Sequence, residues 1–297
     1  MNEPTTVKEL IDLAERVLSD SSHIFEDHDN RMEAEELIRA VIGSSIEDVG
    51  SSDEISKRDR DRYLALVTRR AGGEPLPFLI GHIEFYGLEL KVRPGAFMPR
   101  PSSELTVHRA IARVRRKQDP TVVDVCTGAG PIALAIAHER PDARVWGTDI
   151  SDEGLTQGRM NAKRLGISNV SFRRGDMYGA LPKKLAGNVD LITAHVPYVP
   201  AGELEDLPAE VKDFEPVFTL SDQSDDGLGL MNAAIYGSTE WLRPGGWLLL
   251  EMSDDLEAKV SDMCADAGLT DVVVSDDEDG LSIVIEARFP VRRGASR

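Results

Sequence analysis

Residues 121–130 read Thr-Val-Val-Asp-Val-Cys-Thr-Gly-Ala-Gly, and no other stretch restricts the possible folds as strongly. Val122, Val123 and Val125 form an apolar, β-branched run of the kind that fills strands buried in a parallel sheet. The run carries Asp124 and breaks at Gly128 and Gly130. Pro131 follows, and proline suits the first turn of a helix, here one with an apolar pattern from Ile132 to Ala137. A strand that turns through glycines into a helix presents backbone amides to whatever lies above the turn. Asp149 stands nineteen residues beyond Gly130, at the end of a second strand-like run from Ala143 to Thr148. An acidic residue there can accept hydrogen bonds from ribose hydroxyls.

A glycine pair after a strand also serves as an ordinary turn, so the spacing to Asp149 is what favours a nucleotide site. The third glycine of a dinucleotide loop is missing, with Leu134 near its place, which argues against a pyrophosphate ligand. Asp176, at the end of a later strand-like run, completes a pattern suited to a nucleoside without phosphates. S-adenosylmethionine fits that description and is the expected cofactor.

The 297 residues leave room for one large domain or two modest ones, with the 41% hydrophobic and 29% charged content of a globular protein. A net charge of −18 disfavours a bare phosphate backbone, so no direct nucleic-acid partner is expected. No run approaches the roughly 20 apolar residues that span a bilayer, so no membrane partner is expected. The acidic, polar start is unlike a signal peptide, and a cytoplasmic location is the expectation. Cys126 and Cys264 have neither metal-site nor disulfide-framework spacing, so no metal is expected.

Along the chain, Val7, Leu10, Ile11, Leu13, Ala14, Val17 and Leu18 recur at helical spacing, as do Ala34, Leu37, Ile38, Val41 and Ile42. His23 and His28, in the polar stretch between them, read as solvated loop residues. A third helix is expected from about Ser56 to Arg70, ended by Gly72-Gly73. Ile83, Phe85, Leu88, Leu90 and Val92 alternate about Gly87 as two short strands joined by a tight turn. Arg100, between Pro99 and Pro101, is either a surface charge or a residue fixed at the edge of a site; a serine-capped helix is expected from Glu104 to about Arg116. From Thr121 strands and helices alternate, which implies a mostly parallel, doubly wound sheet. Asp176 is either a turn former or a partner for an adenine amino group, with Met177 packing on the ring. The run Val189–Ala194 ends at His195-Val196-Pro197-Tyr198, where open α/β sheets bind ligands. Acidic residues 201–226 read as a lid or substrate loop. Strong strand signal returns at Trp247–Glu251, and the last two of seven strands (about 271–274 and 282–289) are expected to form an antiparallel hairpin.

The chain resembles the HemK/PrmC family of S-adenosylmethionine-dependent methyltransferases, which methylate a glutamine side-chain nitrogen in peptide release factors. The resemblance covers nearly the whole length. It includes Arg69-Arg70 with Gly73-Glu74-Pro75, Gly81, Phe85-Tyr86-Gly87-Leu88, and Pro99-Arg100-Pro101 with Glu104. It continues through Asp124 to Gly130, Asp149, Phe214-Glu215-Pro216, Asp226-Gly227-Leu228, and Leu242 to Gly246 with Glu251. It implies an α/β fold: a seven-stranded, Rossmann-like class I methyltransferase domain over 119–297. A helical substrate-recognition domain over 1–80 and a β-hairpin with linker helix over 81–118 precede it. It also implies cofactor contacts at Asp124, Gly128, Gly130, Asp149 and Asp176, to which Thr127, Ile150, Met177 and His195 are added as neighbours. Acceptor contacts are expected from Arg100, Pro101, Glu104, Tyr198 and Glu215.

One departure bears on the acceptor. The family carries Asn-Pro-Pro-Tyr where this chain has His195-Val196-Pro197-Tyr198, the four residues expected to carry catalysis. The family's asparagine aims a substrate amide at the methyl group. Val196 still offers a carbonyl and Tyr198 a pocket wall, while a neutral imidazole accepts through one nitrogen and can take a proton. The leading expectation is therefore a small-molecule acceptor methylated on nitrogen or oxygen. The alternative is a glutamine in a release factor or another protein, and the third is a cofactor-binding protein without catalysis.

Overall fold

A computed structural model of the protein describes residues 6–24, 29–43, 53–276 and 283–291. His28 and the start expected for the last strand at Ser282 lie outside them. The described chain forms two compact units, one of residues up to His82 with 92–94 and 205–215, the other of the remainder.

In the first unit α1 (Val7–Ser19), α2 (Asn30–Ile42) and α3 (Lys57–Ala71) are followed by the short α4 (Leu76–Ile80). Their ends are set by local chemistry. Thr6 and Glu9 form a reciprocal capping box on α1, Asp29 and Ser56 cap α2 and α3, and Gly43 closes α2 at φ +68. The apolar stripes meet in a core of Leu10, Leu18, Leu37, Ile38 and Tyr63. Arg70 is fully buried in this unit, where it donates to Glu33 at 2.6 and 2.9 Å and to Glu210 at 2.9 Å. Part of the acidic stretch expected to be a lid or substrate loop therefore packs with the helices.

The second unit begins at Ile83, within the hairpin of β1 (His82–Phe85) and β2 (Leu88–Lys91). Tyr86 and Gly87 both take positive φ, as a two-residue hairpin turn requires. Next come α5 (Glu104–Val114), β3 (Thr121–Val125), α6 (Pro131–Glu139), β4 (Arg144–Asp149), α7 (Asp152–Leu165), β5 (Val170–Arg174) and β6 (Val189–Ala194). After the short α8 (Ala209–Lys212), which belongs to the first unit, follow α9 (Gly229–Trp241), β7 (Leu242–Met252), α10 (Glu257–Asp266), β8 (Thr270–Asp276) and β9 (Ile283–Arg288). The sheet order is β5-β4-β3-β6-β7-β9-β8, with β9 antiparallel to both its neighbours. This is the expected Rossmann-like class I sheet. Every residue of β3 and β6 is buried, which accounts for their largely apolar composition. The order reverses between β3 and β6, so a crevice opens at the carboxyl ends of the central strands.

Candidate active site

On one side of the crevice stands the glycine loop. Asp124, near the end of β3, is buried and accepts from both Thr127 and Thr193; the latter bond is 2.7 Å long. The register Asp124↔Thr193 places the second hydroxyl there. Burial pushes the Asp124 carboxyl up to about 6 against the pull of these two hydroxyls. Asp149, the last residue of β4, accepts from the Gly128 and Ser151 amides, each at 2.8 Å. Burial raises its carboxyl as well, opposed by those amide bonds. Asp149 thus holds the glycine loop in place from below.

The two loop glycines have different reasons to be glycine. Gly130 has φ +78, and a Cβ there would lie 2.5 Å from the Phe172 ring. Gly128 has φ +56, but a Cβ would meet nothing within 4 Å. The loop packs tightly on its inner side and is open above Gly128. Cys126 and Met177 also take positive φ, unusual for such side chains, and their sulfurs lie 3.5 Å apart under the loop. Met177 is buried with its carbonyl accepting from Thr148 at 2.7 Å, while Asp176 and Ile150 are exposed. An open glycine turn, a carboxylate at the end of β4, and an exposed aliphatic and acidic pair beside it suit an adenosyl group. Asp124, Thr127, Gly128, Gly130, Asp149, Ile150, Asp176 and Met177 are the residues that would hold it.

The other side of the crevice is aromatic. His195 follows β6, stacked on Tyr198 (5.9 Å between centroids, 19° between planes) and met edge-on by Phe97 (5.3 Å, 78°). The Arg100 guanidinium lies over the Phe97 ring, 4.6 Å from its centroid. Burial, with help from the Glu251 and Asp255 charges, pushes the Tyr198 phenol up to about 12, so it stays protonated. Gly227 (φ +66) abuts the Tyr198 carbonyl so closely that a Cβ would lie 2.0 Å from the oxygen. Val199 and Ala201 donate to the Leu220 and Ser224 carbonyls, each at 3.0 Å. The loop after β6 is therefore pinned along its length.

Besides Tyr198, the four expected acceptor residues fall in three different settings. Arg100 and Pro101 lead into α5 beside the aromatic group. Glu104 accepts from the Tyr86 amide at 2.6 Å and so anchors the hairpin turn. Glu215 belongs to the first unit, where it is buried. Ser103 makes no capping bond to α5, contrary to the expected serine cap. Its hydroxyl instead donates to Glu251 Oε1 at 2.7 Å, and Thr106 donates to Oε2 at 2.8 Å. Glu251 lies 3.4 Å from His195 Nδ1. Neither Ser103, Phe97 nor Glu251 stands out as a site residue in the sequence; only pairing of β6 with β7 (Ala194↔Leu250) brings His195 and Glu251 side by side. Among the described residues no cluster of His, Cys, Asp and Glu could hold a metal ion, and no helix is long and apolar enough to cross a membrane.

The fold and the glycine-loop crevice are those of a class I, S-adenosylmethionine-dependent methyltransferase. A family model described as a methyltransferase domain matches residues 116–281. A solved methyltransferase from Pyrococcus furiosus superposes with a TM-score of 0.52 at 18% identity, over 69% of this chain and 90% of that one, a likeness of fold. The release factor glutamine methyltransferase of Moorella thermoacetica is 37% identical over 73% of this chain and 75% of its own. That of Geobacter sulfurreducens is 33% identical over 87% and 89%. The chain belongs to the HemK/PrmC family and is an S-adenosylmethionine-dependent methyltransferase.

Proposed function

We propose that this enzyme methylates the side-chain amide nitrogen of a glutamine in a peptide chain release factor. The observation that carries the reading is the reach of the similarity. An alignment of 263 residues with the Geobacter sulfurreducens enzyme is too long for the methyltransferase domain alone and extends into the helical unit. A helical unit has no part in the glycine loop, and its retention supports recognition of a protein acceptor.

S-adenosylmethionine supplies a methyl group on a sulfonium centre, already activated for transfer. The work left to the protein is to place a weakly nucleophilic amide nitrogen in line with it, where alignment is worth several kcal/mol, on the order of 7–11 in favourable cases. His195 offers a nitrogen acceptor to an amide N–H, Val196 a backbone carbonyl to the second, and Tyr198 a fixed aromatic wall. Once the nitrogen carries the methyl group one N–H proton must leave, and imidazole can receive it.

A second reading, methylation of a small molecule with an amine, hydroxyl or carboxylate, is favoured by one observation: His195 stands where the family has asparagine. The test is incubation of the enzyme and S-adenosylmethionine with purified release factors, followed by peptide mass mapping. The expected result is one methyl group on one glutamine. Unmodified release factor, together with methyl uptake into a small-molecule extract, would replace the first reading by the second.

A further inference from the structure

His195 turns its Nδ1 toward two polar side chains. Nδ1 faces Glu251 Oε1 at 3.4 Å and Ser103 Oγ at 3.5 Å. An ionised carboxylate only accepts hydrogen bonds. The single hydroxyl proton of Ser103 is already given to Glu251 Oε1 at 2.7 Å, so Oγ turns lone pairs toward the ring. Both neighbours of Nδ1 are therefore acceptors. Thr106 fixes the other carboxylate oxygen at 2.8 Å, and Glu251 is 1% exposed, so the carboxylate has one orientation.

We propose that Glu251, assisted by Ser103, holds His195 as the Nδ1–H tautomer and leaves Nε2 as a bare acceptor for an N–H of the methyl acceptor. Glu251 and Ser103 are positioning residues that act through His195. Phe97 meets the imidazole edge-on and Tyr198 stacks on its face, so the ring plane is set from two directions. The Nδ1 contacts are long for hydrogen bonds, as is common at catalytic groups before substrate closes the site. A site with a bare acceptor selects acceptors that carry an N–H or O–H, and an acceptor lacking one leaves Nε2 unpaired. Only the identity of that N–H, a glutamine amide, rests on the function proposed above. The tautomer does not.

The test is long-range proton–nitrogen NMR on the full-length enzyme labelled with ¹⁵N-histidine, under conditions where imidazole is neutral. The chain has 6 histidines, and the His195 signals are those lost in His195→Asn. The expected spectrum shows Nδ1 protonated and Nε2 unprotonated. In Glu251→Gln the carboxamide can donate to Nδ1, so the opposite tautomer should appear and turnover should fall about tenfold or more, with KM for S-adenosylmethionine unchanged. An Nε2–H tautomer or an even mixture in the wild type overturns the proposal, as does an unchanged tautomer in folded Glu251→Gln. If burial of the new amide prevents folding, Ser103→Ala takes its place. There Glu251 still faces Nδ1 and the Nδ1–H form should persist; a change to Nε2–H overturns the proposal. A release factor that is not methylated would defeat the function proposed above and leave these spectra unaffected.

Discussion

The glycine-loop side and the histidine side of the crevice are reached by different routes through the sequence. Asp124, Thr127, Gly128, Gly130 and Asp149 lie within one strand–turn–helix–strand segment, and their mutual bonds span 3 to 21 residues. Ser103, His195 and Glu251 come from three separate segments, the first two 92 positions apart and the first and last 148. The first side is a local motif that any chain binding this cofactor can reuse. The second exists only once the sheet has closed in register. On the function proposed above, the first side holds the cofactor and the second places the methyl acceptor.

If the glycine loop is rigid below and open above, its two glycines should respond differently to alanine. Gly130→Ala combines a positive φ with a Cβ 2.5 Å from the Phe172 ring. Strain and overpacking together should remove about 2–4 kcal/mol of stability, seen as a lower urea midpoint. Gly128→Ala carries the conformational cost alone, about 1 kcal/mol, because its Cβ meets open space. Equal losses would mean that the loop is not packed as described.

A smaller effect sharpens the electrostatic difference. The Asp124 carboxyl titrates at about 6 in the folded enzyme, against roughly 3.9 in an unfolded chain. Between those values the folded state binds more protons than the unfolded state, so this group's contribution to stability falls as pH rises through the window. Above it a constant penalty on the order of 2–3 kcal/mol remains. Asp124→Asn should abolish that slope. The gap in unfolding free energy between variant and wild type should move in favour of asparagine from about pH 4 to 6 and then level off. A gap independent of pH would show that Asp124 ionises as freely folded as unfolded.

The same contrast explains what could be read from the sequence alone. Buried strands announce themselves as β-branched, largely apolar runs, and Pro131 marks the first residue of the helix that follows the glycine loop. The glycine loop and Asp149 are legible because their spacing is local. His195 is legible as a departure at a known strand end. Glu251 reads as the end of a strong strand and as one residue of the family resemblance, but nothing in its own neighbourhood tells which strand lies beside it. Ser103 reads as a helix cap because serine before a helix usually is one; the stronger pull of a buried carboxylate turns its hydroxyl away. Phe97 is one apolar residue in a proline-rich loop until His195 is placed against it. Residues 201–226 read as a lid or substrate loop by their acidity, while within them the buried charge of Arg70 draws Glu210 in among helices distant in sequence.

The central claim is that cofactor binding and acceptor placement belong to separate sides of the crevice. Titration calorimetry with S-adenosylmethionine, run alongside turnover on Asp149→Ala and His195→Ala, tests it most directly. Asp149→Ala removes the support of the Gly128 amide and an acceptor for ribose hydroxyls, each hydrogen bond worth about 0.5–1.5 kcal/mol, so cofactor affinity should fall roughly tenfold. His195→Ala should bind the cofactor as the wild type does while turnover falls about 10²-fold or more. A His195→Ala enzyme that loses cofactor affinity as severely as Asp149→Ala, or that turns over normally, would contradict the account.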